Sequence, residues 1–125
     1  MDKFGCRLKK LSFSGTLFEW KDMRVLGLLE ELEVLKLDDY AFKGENWELS
    51  NDVIFKQLQY LRIGRTNLIT WKVTSENSFP TLRSLVLQNC NVIERVPEAF
   101  ANVPTLKVME LFHVSETAVN LRKTA

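Results

Sequence analysis

The sequence has few of the residue types on which catalysis and metal binding depend. It holds a single histidine, His113, and two cysteines, Cys6 and Cys90, in 125 residues. The cysteines lack CxxC or any other metal-ligand spacing, and His113 has no motif partner nearby. Neighbouring acidic residues at 30–31 and 38–39 do not converge on one substrate, so we assign them to the solvated surface. We therefore predict no enzymatic activity, no metal and no cofactor.

Glycine-rich loops, long apolar runs and glycosylation acceptors are missing as well. The five glycines, at 5, 15, 27, 44 and 64, are scattered, and no Gly-Lys-Ser/Thr sequence is present to hold a nucleotide phosphate. No apolar stretch approaches the roughly 20 residues that cross a bilayer. The start "MDKFGCRLKK" has no apolar middle of the kind a secretion signal needs, and no N-x-[ST] site occurs. We expect a cytoplasmic protein.

A spaced apolar pattern is what the chain does contain. "TLRSLVLQNC" places leucines at 82, 85 and 87 and a cysteine at 90, and the same count recurs in "LKKLSF", "LEVLKL", "LQYLRI" and "LKVMEL". The units start near residues 8, 32, 58, 82 and 106, at intervals of 24, 26, 24 and 24. Repetition at this period is typical of leucine-rich repeats, in which each unit adds one short parallel strand and a returning segment.

These repeats predict an α/β fold, a leucine-rich-repeat solenoid with about five repeats. Short parallel strands form its concave face, irregular or short helical segments form its convex side, and residues 1–125 make one domain. Position eleven of the repeat is expected to face inward in four units, at Phe18, Phe42, Leu68 and Val92. Position nine of the repeat is usually Asn or Cys, and in this chain only Cys90 matches. We favour a buried structural role for Cys90 over a reactive thiol. Cys6 lies three strand spacings of about 4.8 Å away, beyond disulfide reach.

The returning segments differ in their expected structure. Residues 15–31 have helical apolar spacing, residues 40–57 are turn-rich and should bulge outward, and residues 66–80 read as extended chain closing in a loop at Pro80. Pro97 is placed to start a helix. Residues 115–125 are expected to form a C-terminal helical cap, with Ser115 as its N-cap. We interpret the three tryptophans in these segments as buried wedges instead of a peptide-binding stripe.

The candidate site is the row of side chains that project from the concave face. Strands stacked at about 4.8 Å put Lys36 beside Arg62, with Asp38, Asp39 and Arg65 close by, so the middle of the concave face is mixed in charge. The candidate protein-binding residues are Lys36, Asp38, Asp39, Arg62, Arg65, Gln88 and Glu110. We hypothesise that this patch docks a protein surface; the alternative is that its charges only keep the sheet face soluble. A formal charge of +1 predicts neither nucleic acid nor a membrane as partner.

Longer motifs resemble one family over nearly the whole chain. The stretches "LEVLKLDDYAFKGENWE", "TNLITWKVTSENSFPTLRSLVLQNC" and "IERVPEAFANVPTLKVMEL", followed by "SETAV", are similar to the last repeats of nightshade coiled-coil NB-ARC leucine-rich-repeat disease resistance proteins of the late-blight type. The resemblance implies that the repeats contribute to recognition of pathogen effectors or to autoinhibition in the defence response. It implies as partner an effector or the receptor's own NB-ARC domain. The upstream coiled-coil and nucleotide-switching parts are not in this sequence.

Two other functions stay open on the residues alone. Repeats of irregular 24- to 26-residue period also form the substrate-recognition arms of F-box ubiquitin ligases, and the chain could be a truncated receptor fragment without an independent role. The segment "MDKFGCR" gives the first strand little cover. Because an open strand edge pairs with other chains, we expect the isolated chain to self-associate through its N-terminal edge unless an upstream region shields residues 8–13.

Overall fold

The computed structural model describes residues 7–115. Within them lie strands β1 (Lys10–Ser14), β2 (Phe18–Glu19), β3 (Val34–Asp38), β4 (Phe42–Lys43), β5 (Asn46–Leu49), β6 (Tyr60–Gly64), β7 (Thr70–Val73), β8 (Ser84–Gln88) and β9 (Val108–Phe112). A parallel five-stranded sheet has the order β1-β3-β6-β8-β9, and two-stranded parallel sheets join β2 to β4 and β5 to β7. The chain thus adds one neighbouring strand to the main sheet with each repeat unit.

The apolar pairs that define the repeat lie in register across the main sheet. One row consists of Leu11, Leu35, Leu61, Leu85 and Met109, and the next of Phe13, Leu37, Ile63, Leu87 and Leu111. On the three inner strands these side chains are at most 2% exposed. Because successive strand residues face opposite sides, these rows make one face of the sheet apolar, while the other face carries charged, polar and a few apolar residues. The architecture is mixed α/β with parallel strands, as predicted, and is compatible with a solenoid.

The returning segments contain short helices and unexpected strands. A 3-10 helix at Trp20–Asp22 continues into helix α1 (Met23–Leu26), which confirms the helix predicted in residues 15–31. A 3-10 helix at Glu98–Asn102 follows Pro97, as predicted, and another spans Glu76–Ser78. The prediction of a turn-rich bulge at 40–57 is wrong in part, because β4 and β5 pair there with strands of neighbouring units. The extended chain predicted before Pro80 is confirmed as β7.

The three tryptophans form a stacked column inside the core. The ring centroids of Trp20 and Trp47 lie 4.6 Å apart and those of Trp47 and Trp71 lie 5.0 Å apart, with interplanar angles of 12° and 9°. All three side chains are buried. The Trp20 indole N–H donates to the carbonyl of Gly44 at 3.0 Å. The interpretation of these residues as wedges between successive units, instead of a surface stripe, is confirmed.

Position eleven of the repeat does not face inward in every unit. Phe42 and Leu68 are buried as predicted, but Phe18 is 41% and Val92 is 50% exposed, so the prediction is wrong at these two positions. Phe18 lies in the first unit, where the rings of Phe13 and Phe42 pack against it. Val92 lies in a turn after Cys90, and Ile93, which is 1% exposed, takes its inward place.

A left-handed residue follows each strand of the main sheet and carries the chain off it. The φ angles at these equivalent positions lie between 51° and 68°, at Gly15, Asp39, Arg65, Asn89 and His113. Aspartate, asparagine and histidine tolerate this conformation better than other residues with a side chain, whereas arginine adopts it at some cost. The turn places Asp39 and Arg65 at the same edge of the sheet, one unit apart.

Several of the earlier predictions concern the two ends of the described chain. Strand β1 is an outer strand of the main sheet, and Leu8 beside it is 39% exposed; association through this edge stays a prediction. The helical cap at 115–125 lies outside the described residues except for Ser115, whose hydroxyl donates to the carbonyl of Ile93. Nearly all buried apolar residues of the described range form one core cluster, from which Val86 is absent. The assignment of residues 1–125 to one domain stays a prediction.

Candidate protein-binding face

The predicted site residues lie on or beside the face of the main sheet opposite the core, which we call the open face. Lys36 and Asp38 belong to β3, Arg62 to β6 and Gln88 to β8. Glu110 belongs to β9, while Asp39 and Arg65 occupy the left-handed turns. On β3 and β6 the alternate residues that face away from the core are half-buried, because neighbouring strands crowd them. Their side chains therefore contact one another across the strands.

Arg62 and Asp38 form the central ion pair of the open face. The Arg62 Nε donates to Asp38 Oδ1 at 3.1 Å and Nη2 donates to Oδ2 at 2.6 Å. About a quarter of each side chain is exposed. Hydrogen bonding to Asp38 raises the pKa of the Arg62 guanidinium above its ordinary value. Such a two-point, charge-assisted contact fixes the plane of the guanidinium as well as its position.

Gly64 makes room for this ion pair. Asp38 at the end of β3 lies next to Gly64 at the end of β6, and a Cβ atom at residue 64 would lie 2.8 Å from Asp38 Oδ1. Any larger residue at this position would push the carboxylate away from Arg62. Gly64 was not among the predicted site residues; its signal in the sequence is that no other unit has glycine at this strand position.

Lys36 contacts an aromatic ring that the sequence did not suggest as part of the site. Its ammonium lies 5.8 Å from the ring centroid of Tyr60 on the neighbouring strand. A cation over an aromatic face at this distance is attracted to it. Tyr60 precedes Arg62 by two residues and so shares its face of the strand. This two-residue spacing is the sequence signal that could have identified Tyr60 as part of the site.

Asp39 and Arg65 form a second, looser pair at the edge of the open face. Arg65 Nε and Asp39 Oδ1 lie 3.6 Å apart, and more than half of each side chain is exposed. Exposed pairs of this kind contribute little to stability. Both side chains are therefore accessible to a partner.

The remaining two predicted residues lie apart from these pairs. Gln88 is half-buried next to Gly64, and its backbone carbonyl accepts a hydrogen bond from the Arg65 amide at 2.7 Å. Glu110 is exposed on β9, and Val86, which is 3% exposed, separates it from Arg62. The structure thus brings five of the seven residues into one charged cluster, Lys36, Asp38, Asp39, Arg62 and Arg65. Binding by any of the seven stays a prediction.

Groups that could carry chemistry elsewhere are placed as structural or surface residues. Cys90 is a free cysteine and fully buried, which confirms its predicted burial, and burial raises the pKa of its thiol to about 11. His113 lies exposed after β9, as predicted. The described residues include no cluster of three or more histidine, cysteine or acidic side chains suited to a metal ion. Over the same residues, no helix is both long and apolar enough for a membrane span.

Comparison with known proteins relates the chain to late blight resistance protein homologs of Solanum demissum. It is 34% identical to homolog R1B-16 over 101 residues, which is 77% of the chain and 8% of the relative. With homolog R1B-12 the identity is 36% over 92 residues, 73% of the chain and 7% of the relative. With homolog R1B-13 it is 31% over 118 residues, 93% of the chain and 10% of the relative. No protein-family model matches.

These matches confirm the resemblance seen in the motifs. They cover most of the chain, but the chain spans a tenth or less of the length of these three relatives.

Proposed function

We propose that this chain is a leucine-rich-repeat segment of a plant disease resistance protein and binds another protein through the open face of its sheet. The repeat interpretation is supported by five strands in sequence order, one per unit, with the same two apolar rows pointing into the core. Units of this size that share a core with their neighbours are typical of a solenoid. The disease resistance role is supported by the names and the sequence similarity of the relatives.

The observation that carries the binding proposal is the organisation of charge on the open face. Arg62 is held in a fixed orientation by Asp38, and Lys36 lies against Tyr60. Side chains that are already ordered lose less conformational entropy when a partner docks. Charges alone would keep a surface soluble, but ordered pairs of both signs also specify which partner fits. A protein surface with complementary charges is the ligand that suits such a face.

The partner we propose is a pathogen effector or the receptor's own nucleotide-binding domain, and the place of action is the cytoplasm. In either case the segment acts by binding and not by catalysis. Two features support this: the Cys90 thiol, with its pKa raised to about 11, is protonated at neutral pH, and ion pairs engage the carboxylates of Asp38 and Asp39. Recognition would feed into the defence response, with the hypersensitive response as its visible outcome.

The first experiment measures binding to the nucleotide-binding domain expected in homolog R1B-13, by isothermal titration calorimetry. The double variant Arg62→Glu, Arg65→Glu should weaken binding about tenfold or more, because it turns complementary charges into repulsive ones. The matched control is Lys21→Glu, Arg95→Glu, which changes the net charge equally at two exposed positions away from the open face. Equal affinities for all three chains would refute docking on this face.

A second variant separates binding from stability. Exchanging the central pair, Asp38→Arg with Arg62→Asp, keeps opposite charges side by side but reverses their positions. A folded chain with this exchange, checked by circular dichroism, should bind as poorly as the double glutamate variant. Unchanged binding would show that the charges serve only to keep the sheet face soluble.

The autoinhibition and defence roles require the longer protein. We would replace the matching segment of homolog R1B-13 with this chain and score cell death in leaves with and without the Arg62 and Arg65 reversals. If the open face holds the receptor inactive, the reversed chimera should cause cell death without a pathogen, while the Lys21 and Arg95 control should stay silent. Identical behaviour of the two chimeras would contradict the autoinhibitory role.

A further inference from the structure

An exposed apolar patch lies beside α1, on the opposite side of the units from the open face. Helix α1 turns Met23 and Leu26 into the core, whereas Val25 is 58% exposed and Leu28, just after the helix, is 73% exposed. Ile54 of the next unit is 36% exposed. A cleft of about 460 Å³ lies among these residues. We call Val25, Leu28, Ile54 and this cleft the α1 patch.

The α1 patch is not a general property of the returning segments. The 3-10 helix Glu76–Ser78 exposes Glu76 and Asn77, and the 3-10 helix Glu98–Asn102 exposes Glu98. Two large apolar side chains on the outward side of α1 are therefore not needed to build a unit of this fold. A contiguous apolar surface with a polar rim is characteristic of an interaction site.

Two chain segments, residues 24–30 and residues 50–56, run side by side beneath the patch. Gly27 packs so closely on the next unit that a Cβ atom there would lie 2.8 Å from Cγ1 of Val53. At one end of the patch, Lys56 Nζ lies 3.4 Å from Glu30 Oε2. At the other end, the hydrogen bond from Ser50 chiefly lowers the pKa of Asp52, and the charge of Arg24 lowers it further. Glu30 and Lys56 thus form a pair at one end of the cleft, and Arg24 and Asp52 both line the cleft at the other.

The signs of these four rim charges alternate around the patch. In the first segment the charge changes from positive at Arg24 to negative at Glu30, and in the second from negative at Asp52 to positive at Lys56. Suppose that a second copy docks face to face on the patch, related by a two-fold axis that lies in the plane of the contact. If the axis is perpendicular to the two segments, Arg24 lies opposite Glu30 of the second copy. If the axis is parallel to the segments, Arg24 lies opposite Asp52 of the second copy. Opposite charges meet in both cases, so the patch is complementary to itself.

We propose that the α1 patch is a self-association surface on which a second copy of this chain docks with two-fold symmetry. Leu28 and Val25 form the apolar centre of the contact, and the four charges form its rim. This contact differs from pairing at the β1 edge, which would extend the sheet, and it leaves the open face free. This proposal does not depend on the function proposed above.

The first test is sedimentation equilibrium of the 125-residue chain at low salt over a wide range of concentration. The parent chain should form dimers, and Leu28→Lys should weaken the association about tenfold or more, because a central apolar anchor is lost. The matched control is Val92→Lys, since Val92 is another apolar residue with an exposed side chain but lies outside the α1 patch. Circular dichroism establishes that each variant is folded. A parent chain that stays monomeric, or dimers that Leu28→Lys leaves unchanged, would overturn the proposal.

A charge exchange identifies the occupant of the patch. One variant carries Glu30→Lys and Asp52→Lys, so that its rim is entirely positive; the other carries Arg24→Glu and Lys56→Glu, so that its rim is entirely negative. Each variant alone should repel its own copies, and an equimolar mixture should recover the dimer for either direction of the axis. Dimers that persist in each variant alone would indicate association through the β1 edge, and failure of the mixture to associate would rule out a second copy on the patch.

Discussion

Replacing Gly64 by alanine tests how the open face is built, because a single methyl group would displace the central ion pair. The new Cβ would lie 2.8 Å from Asp38 Oδ1, whereas ordinary contacts begin at 3.4 Å, so the carboxylate has to move away. The movement lengthens the 2.6 Å contact between Asp38 and Arg62. The backbone at Gly64 does not have the positive φ that would disfavour alanine there.

Two effects of opposite sign set the size of the change in the free energy of unfolding. Exposed ion pairs contribute about 0.2 to 1 kcal/mol and hydrogen bonds to charged groups about 1.5 to 3 kcal/mol, so losing this half-buried pair should cost about 1 kcal/mol. Alanine also restricts the unfolded chain, which stabilises by about 0.4 to 1 kcal/mol. Gly64→Ala alone should therefore change stability little, whereas in a chain that already carries Asp38→Ala it should stabilise.

The assay is urea unfolding of four chains: the parent, Gly64→Ala, Asp38→Ala and the double variant. The coupling between the two substitutions should be about 1 kcal/mol, which exceeds the roughly 0.3 to 0.5 kcal/mol seen for independent sites. A coupling inside that smaller range would refute the claim that Gly64 makes room for the ion pair.

Two further predictions concern the core. Trp20→Phe should lower the free energy of unfolding by about 1 kcal/mol more than Trp47→Phe does. The reason is that, of these two residues, only Trp20 has a hydrogen-bond partner for its indole N–H among the described residues. Equal losses of stability in thermal unfolding would contradict this. For Cys90, burial raises the pKa of the thiol in the folded state from its ordinary value of 9.0 to about 11, so its contribution to stability is complete below pH 9 and is lost as the pH rises towards 11. Relative to Cys90→Ala, unfolding of the parent should become easier across this window by up to about 1.4 kcal/mol per pH unit, and parallel curves would count against burial of the thiol.

The main sheet could be predicted from the sequence because its signal is repeated. Leu35 and Leu37, or Leu61 and Ile63, alternate with polar residues as strand geometry requires, and each pair recurs at nearly the same interval. The burial of Cys90 and of the three tryptophans followed from the same reasoning, since each unit has to fill its share of one core.

The returning segments were less predictable because their structure depends on neighbouring units. Strand β5 is stabilised by pairing with β7; the polar–apolar alternation of "NWEL" suits a strand but is only four residues long and lies between turn-forming residues. The inward position moved from Val92 to Ile93 through a turn that the apolar pattern does not encode, since both residues are apolar.

The open face was predicted as a set of charges but not as a set of contacts. Stacking at the strand spacing correctly put Lys36, Asp38 and Arg62 together. The partners of these charges depend on side-chain reach, which is why Tyr60 and Gly64 were missed. Glu110 lies apart from the cluster because β8, with Val86, stands between its strand and that of Arg62.

The most direct test of the central claim is to map the binding face by nuclear magnetic resonance. The isotope-labelled chain would be titrated with the nucleotide-binding domain expected in homolog R1B-13, and the backbone amide shifts followed residue by residue. The account predicts that the largest changes fall in residues 36–39, 60–65 and 86–88, on the open face. Changes concentrated in residues 24–30 and 50–56 instead would contradict it.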